Sequence, residues 1–516
     1  MTQTVTASTP AGSLIGRRDD DGGALYAGVP FAAPPVGTLR FRPPQPLPDG
    51  TQIEAVDYGP APPQGGTALR IEAPPTRGDE PGANAMGAVL AASANGDGLA
   101  TSEDCLTLNV WAPPGADRLP VVVWLYGGGF DVGSASPPFT DGHALSRLAN
   151  VVVVAINYRV GALGFGYWGG LGGDAWAQSS NLGLQDQVAG LAWVRRNIGA
   201  VGGDPSNVTV AGESAGAFSV GALLGMPSAA GLFDKAILSS GSTRRIFPVD
   251  TADSIARDLA AAVGAGTMEE LQDVEIATIL GVQSRVVDGD IGARNLRGGR
   301  SWGVVLDGVI VPEDPHEAVR RGVARGIPLL VGATRDETKV FQRMLGDAFV
   351  PSGDDALRDE MARSSAPDPT ALLTAYAARG ARVGAAELAD IRSAFLTDAV
   401  YRRPASELAA AQVAAGGRAW TYLFSATPQG PALGAFHGSD LGYAFDKLTG
   451  AGLGTPENLA VRDDLIGAWR AFAAEGDPGW ESYHPGSEKN TRQFGDLPEL
   501  VTEPPRDEIL AVWPLT

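Results

Sequence analysis

Asn207-Val208-Thr209-Val210-Ala211 runs directly into Gly212-Glu213-Ser214-Ala215-Gly216, and this junction decides the fold. The β-branched run predicts a buried strand, and the small residues from Ala215 onward predict a helix. Strand, sharp turn and helix are the context that a G-x-S-x-G elbow requires. Gly212 and Gly216 lack a Cβ, so the backbone can turn sharply and the helix can approach the strand closely. Ser214 is thereby pushed out above the sheet. The helix start beneath it offers free N–H groups and a positive partial charge to an oxyanion. A tight turn that merely contains serine is the plainer alternative, and the flanking pattern argues against it.

Working outward, Val121 to Tyr126 and Val151 to Asn157 are short apolar runs, the first ended by three glycines. Apolar on both faces, they suit a central parallel sheet covered on both sides. Leu184, Val188, Leu191, Val194 and Ile198 recur at spacings of four and three, which is one buried helix face. KAILSS, IPLLVGAT and AWTYLFS are further strand candidates. Strands alternating with helices predict an α/β fold with a mainly parallel sheet and helices on both faces. Residues 250–300 and 345–415 are Ala-rich and charged with helical periodicity. They read as helical insertions that roof the C-terminal edge of the sheet, where ligands bind in open α/β folds. Residues 1–60 are punctuated by proline and cannot sit at a sheet centre. Residues 60–102 read as a surface excursion. No internal repeat is visible. Length alone allows about three domains, yet the pattern reads as one catalytic domain over residues 1–516.

Composition narrows the function. Lys+Arg 39 against Asp+Glu 59 gives a net charge of −20, which repels phosphate backbones and anionic lipid. Nucleic acid and membrane are therefore not expected partners. The hydrophobic fraction of 44% is that of a globular chain and excludes disorder, collagen and coiled coil as descriptions of the whole. Cys105 is the sole cysteine, so no intramolecular disulfide can form. The N-terminus lacks a basic start followed by an apolar core, and no apolar run reaches the ~18 residues of a membrane span. A cytoplasmic protein, monomeric or a small homo-oligomer, is expected.

A serine hydroxyl needs a base to become a nucleophile. Four histidines are available. His316 lies in Asp314-Pro315-His316-Glu317, a helix start, and reads as a surface residue. His143 and His484 read as loop histidines. His437, in Gly434-Ala435-Phe436-His437-Gly438, lies late in the chain, as the order serine, acid, histidine requires. The acid must lie between. Asp336 and Glu337, just after the strand IPLLVGA, both qualify by position, with Asp398 and Asp440 in reserve. Gly127-Gly128-Gly129 can turn unshielded N–H groups toward a negative oxygen, joined by the N–H of Ala215. The Lys-Ser/Thr ending of a phosphate loop is absent.

These motifs together resemble the type-B carboxylesterase family, which contains bacterial p-nitrobenzyl esterases and animal cholinesterases. The matching stretches are GVPFAAPPVGTLRFRPP, SEDCLTLNVWAP, VVVWLYGGGF, INYRVGALGF, NLGLQDQVAGLAWVRRNIGAVGGDPSNVTVAGESAGA, LFDKAILSSGS, GATRDET, TDAVYRRPASELA and GAFHGSDLGYAF. The resemblance implies an α/β-hydrolase fold and a triad of Ser214, Glu337 and His437. It implies Gly128, Gly129 and Ala215 as oxyanion donors and Glu213 as a supporting carboxylate. Three departures stand out. Tyr126 occupies a position where many members carry histidine, and activity is expected to survive with altered loop packing. Cys105 matches a cysteine that is disulfide-bonded in secreted animal members, but its partner is missing, which points to a bacterial, intracellular type. Residues 51–100 contain no tryptophan, which argues against choline esters.

The expected chemistry is hydrolysis of small to medium carboxylic esters through an acyl-enzyme, with no metal and no cofactor. An amidase, or a specialised hydrolase of toxins, pesticides or polyester oligomers, would carry the same triad and differ only in its pocket. A lipase would need a large apolar lid, and none is identifiable. A non-catalytic adhesion module would be expected to lack the serine. Phe130, Phe341, Phe436, Tyr167 and Trp168 lie near the motif loops and are candidates for the substrate pocket, with equal claims as core.

Overall fold

The computed structural model describes residues 3–65, 100–136, 140–495, 499–503, 505 and 507–515. The chain begins with the strands β1 (Thr4–Thr9), β2 (Gly12–Arg18), β3 (Ala24–Pro30) and β4 (Thr51–Glu54), followed by β5 (Thr107–Ala112). The central strands are β6 (Leu119–Leu125), β7 (Val152–Ile156), β8 (Gly203–Glu213) and β9 (Lys235–Ser239). β10 (Ile246–Pro248) and β11 (Val304–Leu306) form a separate small parallel pair. β12 (Leu329–Thr334), β13 (Ala419–Phe424), β14 (Thr491–Phe494) and β15 (Leu500–Val501) complete the set.

Among the described residues, thirteen strands make one sheet in the order β1-β2-β3-β5-β7-β6-β8-β9-β12-β13-β14-β15, with β4 beside β2. From β7 to β14 every pairing along this path is parallel, and antiparallel pairs close both ends. This is the predicted α/β-hydrolase architecture. The valines at 121, 122 and 123 and the whole of β7 are buried because helices cover the sheet. Each such valine stabilises the fold by about 1.5–3 kcal/mol relative to exposure. Helices Ala215–Leu223 and Pro456–Glu475 both pack on β6 and β8, while Arg403–Ala414 packs on β12 and β13. The predicted amphipathic helix spans Leu182–Asn197, with Leu184, Leu191 and Val194 buried.

The N-terminal reading needs a correction. Residues 4–30 contain three strands of the sheet's antiparallel end, and β3 has neighbours on both sides. The prolines are still excluded as expected. Those from Pro34 to Pro48 lie between β3 and β4, and Pro30 is the last residue of its strand.

Residues 250–300 carry helices Val249–Val263, Met268–Asp273, Ile276–Gln283 and Ile291–Asn295. Residues 345–415 carry Asp354–Met361, Pro369–Val383, Leu388–Thr397 and Arg403–Ala414. Both insertions reach the C-terminal edge of the sheet. Arg294 pairs with Asp131 in the loop after β6 at 2.6 Å, and the Thr338 hydroxyl after β12 donates to the Ser393 carbonyl at 2.6 Å. The excursion is described only at its ends, where Ala61 N–H donates to Ala100 O and Ser102 N–H to Ala61 O, both at 3.0 Å. Its interior, residues 66–99, lies outside the described residues. Among the described residues no helix is long and apolar enough to cross a membrane.

Candidate active site

β8 ends at Glu213, and the next residue, Ser214, has φ 54° and ψ −123°. A non-glycine residue held there costs about 1–3 kcal/mol and persists only where its surroundings impose it. Two glycines impose it here. A Cβ on Gly216 would lie 2.0 Å from the Leu125 carbonyl oxygen of β6, and one on Gly212 would lie 2.5 Å from the Gly216 carbonyl carbon. The helix therefore enters against the sheet at a distance no other residue permits. Gly216→Ala is expected to cost about 3 kcal/mol or more, because the obstruction is backbone and cannot rotate aside. A thermal melt of the purified variant checks this, and an unchanged Tm would contradict the packing.

Three loops converge on the Ser214 hydroxyl. The His437 imidazole places Nε2 2.9 Å from Ser214 Oγ and Nδ1 2.6 Å from Glu337 Oε2. Facing a carboxylate, Nδ1 must carry the proton, which leaves Nε2 free to accept from the serine hydroxyl. Glu337 follows β12 and is fully buried. Its other oxygen accepts from the Ser240 hydroxyl at 2.6 Å and from the Thr334 N–H at 2.7 Å. The His437 N–H donates to the Glu337 carbonyl at 3.1 Å, which ties the two loops together.

The choice between the two acids is visible in this geometry. Asp336 turns away from the imidazole, accepts from the Ala435 N–H at 3.0 Å and pairs with Arg335 and Lys339. It holds the loop that carries His437. Asp398 accepts from the Tyr376 hydroxyl at 2.8 Å, among the groups around Arg402. Asp440 takes the Ser239 hydroxyl.

Charge is concentrated around the imidazole. Glu213 Oε1 lies 3.2 Å from His437 Nε2, without hydrogen-bond alignment. Burial pushes the Glu213 carboxyl up to about 8, with the imidazole opposing and Asp440 and Glu337 adding to the rise. Burial likewise lifts Asp440 to about 6 against the pull of the Ser239 hydroxyl. For His437 burial acts downward, but the carboxylates of Glu213 and Glu337 outweigh it and raise the imidazole to about 9. The Glu213 carboxylate also presses on the glycine loop. A Cβ at Gly127 would meet its Oε2 at 2.5 Å.

The loop after β6 carries Gly128 at φ 119° and Gly129 at φ 68°, conformations that favour glycine. Both carbonyls are engaged: Asp131 and Val132 N–H groups donate to Gly128 O, and Arg245 donates to Gly129 O at 3.2 Å. Among the described residues, no acceptor takes the N–H of Gly128, Gly129 or Ala215. Tyr126, just before this loop, stacks on Tyr158 at 4.1 Å, and each hydroxyl donates to the other residue's carbonyl at 2.5 Å. The departure from histidine at this position is thus filled by a reciprocal tyrosine pair.

The aromatic candidates occupy different places. Phe341 is half-buried, with its ring 5.7 Å from the imidazole. Phe436 is buried with Val340 and Leu433. Phe130 is sealed against Phe165 at 4.6 Å. Two histidine readings are corrected. His316 is buried, not superficial, and bonds the Thr243 hydroxyl at 2.9 Å, and burial pulls its pKa down to about 4. His143 opens helix His143–Ala149 with Nδ1 3.0 Å from Asp19. His484 lies in an irregular segment, as read.

Ser240, Tyr401 and Arg245 escaped the sequence reading. Tyr401 is buried, with its ring 4.8 Å from that of His437. Ser240 and Tyr401 both fall inside stretches that carried the family resemblance, and that was their only signal.

Comparison with known proteins identifies the family. The sequence model described as "Carboxylesterase family" matches residues 2–502. The para-nitrobenzyl esterase of Bacillus subtilis (strain 168) is 34% identical over 484 residues, covering 90% of this chain and 90% of that protein. The fumonisin B1 esterase of Sphingopyxis macrogoltabida is 32% identical over 517 residues, covering 93% of this chain and 84% of that protein. Among solved structures, a Geobacillus stearothermophilus carboxylesterase superposes with a TM-score of 0.83 at 32% identity, covering 98% of this chain and 99% of that one.

Proposed function

The chain belongs to the carboxylesterase family, and from that premise we propose that Ser214, His437 and Glu337 carry out its ester hydrolysis. The observation that carries this reading is the relay from Ser214 Oγ through the imidazole to Glu337, at 2.9 and 2.6 Å. His437 Nε2 takes the hydroxyl proton as Ser214 Oγ attacks the ester carbonyl. The carbonyl oxygen gains negative charge and is held by the N–H groups of Gly128, Gly129 and Ala215. Collapse of the tetrahedral adduct breaks the ester C–O bond, and His437 returns the proton to the departing alkoxide. Water, deprotonated by the same imidazole, then attacks the acyl-enzyme, and the second adduct collapses with that proton returned to Ser214 Oγ, releasing the acid.

We take its substrates to be small to medium carboxylic esters. Phe341 stands beside the imidazole where a substrate would meet it. Phe436 packs behind Phe341, and Phe130 backs Arg245. A fluorophosphonate probe tests the nucleophile directly. Intact mass should show one adduct, and peptide mapping should place it on Ser214. Labelling that persists at the same rate in Ser214→Ala would overturn the assignment.

The carboxylates around His437 give a pH prediction. A base must be deprotonated to act, and the acidic surroundings keep the imidazole protonated to higher pH than usual. The acid limb of kcat/KM therefore belongs to this cluster and should lie above pH 7. Glu213 and His437 titrate as a coupled pair, so removing the ionisable carboxyl in Glu213→Gln should move the limb toward acid. A pH profile with an ester of constant ionisation measures it. An unmoved limb would mean that Glu213 only shapes the turn.

A further inference from the structure

We propose that Arg245 is a specificity determinant that favours ester substrates carrying a carboxylate a few bonds from the scissile carbonyl. This deepens the functional reading above and rests on Ser214 as nucleophile. Arg245 follows β9, whose last residue accepts the Ser214 N–H through the Ser239 carbonyl at 3.0 Å. Its guanidinium lies 5.6 Å from the ring of Phe218, one turn along the helix that starts after Ser214, and 5.0 Å from the ring of Phe130. Its Nη2 donates to the Gly129 carbonyl at 3.2 Å, in the loop that supplies the oxyanion donors. The residue as a whole is half-buried, and its guanidinium sits in desolvating surroundings.

Arg245 lacks a carboxylate partner, as does buried Arg403, but Arg403 donates to the Pro514 carbonyl and lies over the Trp513 ring, whereas Arg245 donates into the Gly129 loop. Arg159 lies on Asp186, Arg294 on Asp131, Arg392 on Glu360 and Arg402 on Glu503, with separations of 2.5 to 2.7 Å. Among the described residues no carboxylate pairs with Arg245, and its Nε is buried without an acceptor. Asp131, the acid nearest in effect, is committed to Arg294, whose own charge acts against Arg245. Burial and that repulsion bring the guanidinium down to about 10, which still leaves it cationic at neutral pH. The backbone at Arg245 is also held at φ 67°, a conformation that an arginine adopts only at a cost. A desolvated cation without a counter-ion is unfavourable, and although Nη2 donates to Gly129 O and to the Ser301 hydroxyl, Nε has no acceptor, so the planar fork still matches a carboxylate. A substrate bringing that carboxylate supplies the missing partner beside the reacting carbonyl.

The rival reading is that Arg245 only positions the Gly129 peptide, and substrates of equal length and different charge separate the two. Hydrolysis of monomethyl glutarate and monomethyl adipate is compared with that of methyl pentanoate and methyl hexanoate by titration at constant pH. The wild-type protein should favour the anionic member of each pair by about tenfold or more in kcat/KM. Arg245→Gln should lower the anionic values by about tenfold and the neutral values by less than about threefold, with Arg245→Lys in between. Equal losses on both classes, or a wild type that prefers the neutral esters, would overturn the proposal. Calorimetric binding of glutarate to the Ser214→Ala protein gives a readout independent of turnover. Affinity should fall about tenfold when Arg245→Gln is added, and an unchanged affinity would also overturn the proposal. Failure of every ester to react would count against the triad reading, while the glutarate result would still decide this one.

Discussion

Ser214→Ala is expected to lower kcat for a short p-nitrophenyl ester by about 10⁴–10⁶ while leaving the fold and KM nearly unchanged. The size follows from what the hydroxyl does. It makes the bond to the acyl carbon, and water has no comparable position 2.9 Å from a base. The small structural cost follows from what the hydroxyl does not do. Ser214 sits at the start of helix Ala215–Leu223, but its side chain makes no capping hydrogen bond there. Alanine keeps a Cβ, so the backbone strain at φ 54° is unaltered. The imidazole left behind still faces Glu213 Oε1 at 3.2 Å, so its Nε2 is not stranded among apolar groups. Residual hydrolysis should come from the free N–H groups of the oxyanion loop. His437→Ala should cost nearly as much as Ser214→Ala, and the double variant scarcely more, because the two act as one unit. Steady-state kinetics with matched thermal melts measure all three. Wild-type turnover in Ser214→Ala would end the assignment.

The triad was legible because each member leaves a local trace. The elbow needs two glycines at fixed offsets, and those are printed in the chain. With four histidines, chain order leaves His437 and His484, and the predicted strand and loop just before His437 bring it forward. The acid was harder, because Asp336 and Glu337 are neighbours and only three-dimensional direction separates them. One carboxylate faces the imidazole and the other faces the Ala435 amide. The groups that support Glu337 left almost no trace. Ser240 meets it across 97 residues, and a serine after a strand carries no label saying so. His316 misled for the same reason. Its helix-start pattern is real, with Asp314 accepting from the His316 N–H at 2.7 Å. Its burial comes from packing of helix Pro315–Arg320 against Arg403–Ala414 and Ala215–Leu223, and Thr243, 73 residues away, supplies the hydrogen bond. The antiparallel strands of residues 4–30 were missed because β1 and β2 are mostly polar or half-buried and β3 is interrupted by glycine and ends on proline, so none shows a continuous apolar run. Central strands buried on both faces announce themselves, and strands of the half-exposed antiparallel end do not.

Glu337→Gln is expected to lower kcat by about 10⁴ with little change in KM. The argument turns on which way the new amide must face. In the wild type, one carboxylate oxygen accepts from both the Ser240 hydroxyl and the Thr334 N–H, at 2.6 and 2.7 Å. The Thr334 N–H can only donate, so the glutamine carbonyl oxygen must stay on that side. The amide NH₂ is then forced toward His437 Nδ1, where the wild type has an acceptor at 2.6 Å. Two donors cannot share that contact. The imidazole therefore moves its proton to Nε2 and faces Ser214 with an N–H instead of a lone pair. The nucleophile keeps its place and loses its base. Stability should change less than activity, since the amide still satisfies the Thr334 and His437 contacts. Kinetics at saturating ester, with the imidazole tautomer read by nitrogen-15 NMR, check both halves. A proton found on Nδ1 together with near-wild-type kcat would show that Glu337 does not orient the base.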